Sequence, residues 1–127
     1  MEPEGVTENF SYFSSVAISG DYAIIGCHYD DNYRGSVCIF KKEVNSSTNL
    51  ETWRQKEKLT ATKDNEDSDA ASFDEFGYSV AIDGEYAIVG AAKNDENGTD
   101  SGAAYIFKKD DGAETWTIQK KINSYFR

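Results

Sequence analysis

The sequence predicts an all-β protein made of two similar four-stranded antiparallel units. Three observations predict it. The chain writes nearly the same segment twice, SVAISGDYAIIG (Ser15 to Gly26) and SVAIDGEYAIVG (Ser79 to Gly90), and self-similarity of this kind marks a repeat architecture. Its apolar residues come in bursts of strand length separated by long polar stretches. A turn dipeptide, Ser19-Gly20 or Asp83-Gly84, separates the first two bursts of each copy, and Asp-Gly between apolar runs is a strong hairpin signal.

Each copy reads as four strands. The first is short and small-sided, SVAI at Ser15 to Ile18 and at Ser79 to Ile82. A two-residue type I′ turn at Ser19-Gly20 or Asp83-Gly84 leads to the second, YAIIG or YAIVG. That strand is apolar on both faces, so it expects cover on both. The third is SVCIF (Ser36 to Phe40) or AAYIF (Ala103 to Phe107). The fourth is WRQKEKL (Trp53 to Leu59) or WTIQKKI (Trp116 to Ile122), each introduced by Glu-Thr-Trp. In the second copy, alternation puts Trp116, Ile118 and Ile122 on one face and Thr117, Gln119 and Lys121 on the other. The first copy is more polar there, as an outer edge strand carrying lysine would be.

Matched positions are offset by 64 (Ser15 to Ser79), 67 (Ser36 to Ala103) and 63 (Trp53 to Trp116). Insertions are therefore confined to loops. The units span residues 10–61 and 76–124, joined by an acidic linker at 62–75. Small residues on the first strand and charge on the last suit a propeller blade, whose inner strand crowds an axis while its outer strand meets solvent.

Composition excludes several functions. The formal net charge of the 127 residues is −10, which repels phosphate backbones and anionic lipid, so no nucleic-acid partner is expected. No apolar run reaches the length of a membrane span, so no membrane insertion is expected. The opening MEPEGVTENF has neither the basic start nor the apolar core of a signal peptide. Cys27 and Cys38, the only cysteines, are too few for a disulfide scaffold. A hairpin centred near Asp31 sets Cys38 across from Ile24, with Cys27 on the opposite face; buried free thiols are the expectation. His28 is the only histidine and has no nucleophile motif near it, so the chain reads as not an enzyme.

The segment FGYSVAIDGEYAIVGAAKNDENGTDSGAAYIF (Phe76 to Phe107) resembles the FG-GAP repeat, the blade unit of integrin α-subunit propellers and of many surface proteins. Phe76-Gly77 stands as the FG element, and Gly90-Ala91-Ala92 stands for Gly-Ala-Pro without its proline. The first copy diverges, with Tyr12-Phe13 and Gly26-Cys27-His28 at those places. The resemblance implies a β-propeller that serves as a binding or adhesion platform, extracellular or at the cell surface. It also implies a calcium-binding loop, whose nearest match is KNDENGTDS (Lys93 to Ser101). Lys93 puts a cation where the first carboxylate belongs. Asp95, Asn97 and Asp100 remain as a weak, shifted oxygen set for Ca2+, against the plainer reading of a solvated acidic loop.

Two further features invite function. Tyr29 and Tyr33 flank Asp30, Asp31 and Asn32, a flat face with acceptors such as glycan sites use, or simply tyrosines that pack a loop. Sequons at Asn9, Asn45 and Asn97 are glycosylation candidates if the chain is secreted by a eukaryote.

Two blades do not close a ring, since propellers use about four to eight. The apolar faces at either end then stay bare unless the chain is part of a longer propeller, or copies of it assemble, or the units fold into a compact sandwich. The sequence thus reads as a non-catalytic interaction or adhesion module, self-associating through its blade faces or binding another protein. The alternative is a carbohydrate-binding propeller with Tyr29 to Tyr33 as its surface.

Overall fold

The computed structural model describes residues 13–61, 75–92, 102–112 and 114–123. Two four-stranded antiparallel sheets follow one another along the chain. The first, blade 1, holds β1 (Ser15–Ser19), β2 (Tyr22–Cys27), β3 (Ser36–Val44) and β4 (Glu51–Leu59) in sequential order. The second, blade 2, holds β5 (Phe76–Asp83), β6 (Tyr86–Ala91), β7 (Ala103–Lys109) and β8 (Trp116–Asn123) in the same order. A single helical turn, α1 (Asp30–Tyr33), sits between β2 and β3. The fold is all-β, with two open propeller-type blades.

The first hairpin of each blade turns one residue later than the sequence suggests. Ser19 pairs with Tyr22 and Asp83 with Tyr86, so the turns are Gly20-Asp21 and Gly84-Glu85. Only the glycines carry positive φ, +57° and +59°. That is the type II′ demand, glycine first and almost anything second, in place of the expected type I′.

The expected β2–β3 register also fails by one residue. Ile24 lies opposite Ile39, and Cys38 lies opposite Ile25. The connection through α1 is even in length, so the hairpin centre falls between Asp31 and Asn32. Cys27 pairs with Ser36, and a one-residue slip exchanges faces. The two cysteines therefore share one face as diagonal neighbours. Both are buried and free.

A bulge explains a third difference. The β7–β8 register shifts between Ile106 and Phe107, leaving Gln119 without an opposite residue. Trp116 and Ile118 follow the expected face, but beyond the bulge Lys121 joins it opposite Tyr105 while Ile122 crosses over opposite Ala104. Blade 1 has the same shift between Ile39 and Phe40, so the irregularity is part of the repeat.

The blades stack front to back. The front of blade 1, with Ile24, Val37 and Ile39, packs on the back of blade 2, with Val89, Tyr105 and Phe107. Each such side chain contributes about 1.5–3 kcal/mol by leaving water, and Ile39→Ala would cost about 2–5 kcal/mol. Phe76 fills the middle, edge-on to Tyr105 and Phe107 at 5.3 and 6.0 Å. Backbone closes the seam as well. The Ser15 hydroxyl donates to the Gly77 carbonyl at 2.9 Å, and the N–H groups of Glu75 and Phe76 donate to the carbonyls of Tyr33 and Arg34.

Candidate functional site

The same strand residues meet opposite fates in the two blades. The alternation of β2 sends Tyr22 and Ile24 to the front of blade 1, where blade 2 covers them. The alternation of β6 sends Tyr86 and Ile88 to the front of blade 2. Ile24 is 0% exposed, whereas its counterpart Ile88 is 41% exposed and Tyr86 is 52% exposed. Ala81, Ile88, Ile106 and Tyr86 border an apolar groove of about 440 Å³. The back of blade 1 is open near its first strand, with Val16 at 68% and Ile18 at 65% exposed. Grouped exposed apolar residues are the physical feature by which interaction surfaces are recognised.

The covered front shows what such a surface can hold. Trp116 of blade 2 is buried and meets Tyr22 edge-on, with ring centres 5.9 Å apart. Beside it, Lys41 Nζ donates to Glu114 Oε1 at 2.6 Å. Lys41 also lies 5.7 Å from the centre of the Tyr22 ring. The hydrogen bond to Glu114, before the influence of the Tyr22 phenol, holds the Lys41 ammonium above its ordinary pKa. The partner hydrogen bond holds Glu114 below its own. Lys56 reaches the other Glu114 oxygen at 3.5 Å, and the Ser19 hydroxyl accepts the Gly84 N–H at 3.1 Å.

On the open front the receiving half of this arrangement is already assembled. Lys108 Nζ sits 5.8 Å from the centre of the Tyr86 ring, as Lys41 does over Tyr22. Sequence reading missed this pair. Its signal was legible as a tyrosine and a lysine repeated in both copies, but only the register places them side by side.

The glycan candidate is partly committed to the fold. Asp30 is fully buried, and its carboxylate lies 3.1 Å from Lys58 Nζ. Tyr29 and Tyr33 meet edge-to-face at 5.0 Å, His28 stacks on Tyr29 at 3.9 Å, and Tyr78 approaches His28 at 5.1 Å. The structure thus gathers the tyrosines into an aromatic cluster spanning both blades. It gives no side-chain placement for Asp31 and Asn32.

Asn45 is exposed in the loop before β4, its side-chain oxygen accepting the N–H groups of Ser47 and Thr48 at 2.8 and 3.1 Å. Asp95, Asn97 and Asp100, the sequon at Asn9 and nearly all of the acidic linker lie outside the described residues. Among the described residues, no group of three or more His, Cys, Asp or Glu side chains is arranged to hold a metal ion, and no helix is long and apolar enough to cross a membrane.

A family model described as the FG-GAP repeat matches residues 7–40 and 53–107 of the chain. No curated protein matches it.

Proposed function

This chain belongs to the FG-GAP repeat family, and from that premise we propose that it is a non-catalytic interaction module that works through its open blade faces. One observation carries the reading. Ile24 and Ile88 are the same repeat position, yet one is sealed and the other stands in water. A blade front built to be covered, and left open, is a docking surface. The setting proposed is extracellular or at the cell surface, resting on the family and on the exposed sequon Asn45.

The test is the solution mass of the purified chain by light scattering, paired with uptake of a fluorescent apolar probe. A discrete oligomer supports the reading through self-association. A folded monomer that takes up the probe supports it through docking of another protein. A folded monomer that binds no probe overturns it.

A carbohydrate-binding function is the second reading, favoured by the Tyr29, Tyr33 and Tyr78 cluster. Glycan-array signal lost on Tyr29→Ala and Tyr33→Ala would carry it, and a blank array would remove it.

A further inference from the structure

The seam between the blades has a donor and a receiver. Blade 2 donates Glu114 and Trp116, the ends of its Glu-Thr-Trp segment. Blade 1 receives them on Lys41 and Tyr22. The repeat gives each blade both halves. Blade 2 holds an open receiver in Tyr86 and Lys108. Blade 1 holds the equivalent donor in Glu51-Thr52-Trp53, with Glu51 and Thr52 exposed and Trp53 half-buried.

We propose that Glu51 and Trp53 of one copy of this chain dock on Lys108 and Tyr86 of the next copy, repeating between molecules the contact that Glu114 and Trp116 make with Lys41 and Tyr22 within one. The proposal rests on the interaction reading above and names its partner.

Register supports it. Trp53 pairs with Lys42 and Glu51 with Val44, so alternation puts both on the back of blade 1, the face bearing Val16 and Ile18. That is the counterpart of the face from which Trp116 reaches Tyr22. Glu51 has 57% of its side chain exposed, with only a 4.0 Å contact to Lys42. Across the same back, in the rows of Val16 and Ile18, Cys38 and Phe40 are already buried, so docking falls on the β1 edge and on the start of β4, beyond those rows. The Tyr22–Trp116 and Lys41–Glu114 contacts lie at the matching end of the inner seam.

Other seam contacts transfer in kind. Asp83 of the receiving copy replaces Ser19 as an acceptor for the turn N–H of Gly20 in the donating copy. Two do not transfer, because Lys120 stands where Glu57 accepts the Trp116 N–H and Gln119 stands where Lys56 reaches Glu114. The new seam is therefore weaker than the inner one. Because donor and receiver lie on different faces, the contact is head-to-tail, and such contacts close into rings or run on as filaments. About two to four chains would make a ring of about four to eight blades.

The test is sedimentation of the full chain over a range of concentrations, for wild type, Lys108→Glu, Glu51→Lys and the double variant. Wild type should form a discrete oligomer. Each single reversal places like charges together and should weaken assembly about tenfold or more. The double variant should restore it, because every seam regains an opposite pair. Thermal melts guard against misfolding, and both positions lie at the surface. An oligomer indifferent to both reversals, or weakened by them with no rescue in the double variant, overturns this seam while the interaction reading stands. A folded wild-type monomer also overturns it, and the apolar-probe result then decides the interaction reading separately.

Discussion

Glu57 of blade 1 accepts the backbone N–H of Trp116 in blade 2 at 2.9 Å. The bond ties the outermost strand of one blade to that of the other. Burial raises the Glu57 pKa above its ordinary 4.5, the Trp116 N–H works against that rise, and the Asp110 carboxylate adds to it. The folded chain therefore keeps this proton to higher pH than the unfolded chain. The stability from that proton is full below 4.5 and is lost as pH rises through the raised value. Glu57→Gln keeps an acceptor oxygen without the charge. Its melting temperature relative to wild type should climb from acid to neutral pH. A difference that is flat or falls across that range would refute this account.

Gly26 and Gly90 are the same repeat position with unequal neighbours. A Cβ on Gly26 would overlap the Gly77 carbonyl oxygen and the Ser15 hydroxyl that donates to it. A Cβ on Gly90 would press only on the Ser79 hydroxyl, the rotatable tip of an exposed residue. Gly26→Ala should cost about 3 kcal/mol by forcing backbone apart. Gly90→Ala should stay within about 1 kcal/mol of wild type. Urea midpoints of the two variants decide it, and equal losses would mean the seam yields at Gly77.

Cys27 and Cys38 are diagonal neighbours on a buried face. Burial, then Asp30, pushes the Cys27 thiol up to about 11, against a weaker pull from Lys58. Burial, then Cys27 itself, pushes Cys38 up to about 12. Since the thiolate is the reactive form, neither should react with an aromatic disulfide reagent at mildly alkaline pH while the chain is folded. Both should react in denaturant. Fast labelling of even one thiol in the native protein would contradict the packing.

The repeat, the four strands per unit and their order were legible because apolar bursts and turn residues recur at matched offsets. Register was not. The Ile24–Ile39 pairing depends on one residue of loop length around α1, and Ile122 changes face through a bulge that alternation does not reveal. The proposed docking surface was half legible. That the blade fronts need cover follows from second strands apolar on both faces, but which residues an open front shows depends on blade 1 presenting its front to the back of blade 2. Tyr86 and Lys108 are 22 positions apart (108 − 86), and only strand pairing makes them one platform.

Asp30 is the least exposed carboxylate among the described residues, and Lys58 is what makes its burial tolerable. The pair lies at 3.1 Å, with the lysine side chain 27% exposed and the aspartate sealed. The Asp30 carbonyl also accepts the Gly35 N–H at 2.9 Å, which closes the α1 turn that sets the β2–β3 register. Lys58→Met removes the cation and leaves a buried carboxylate without it. That should cost about 3 kcal/mol, the low end for breaking a buried pair, since water reaches one partner. Adding Asp30→Asn should recover most of the loss, because a neutral amide carries far less desolvation penalty than a buried carboxylate. Chemical denaturation of the single and double variants measures both steps. If the double variant is no more stable than Lys58→Met, the lysine stem rather than its charge supports this corner, and the aromatic cluster of Tyr29 and Tyr33 rests on packing alone.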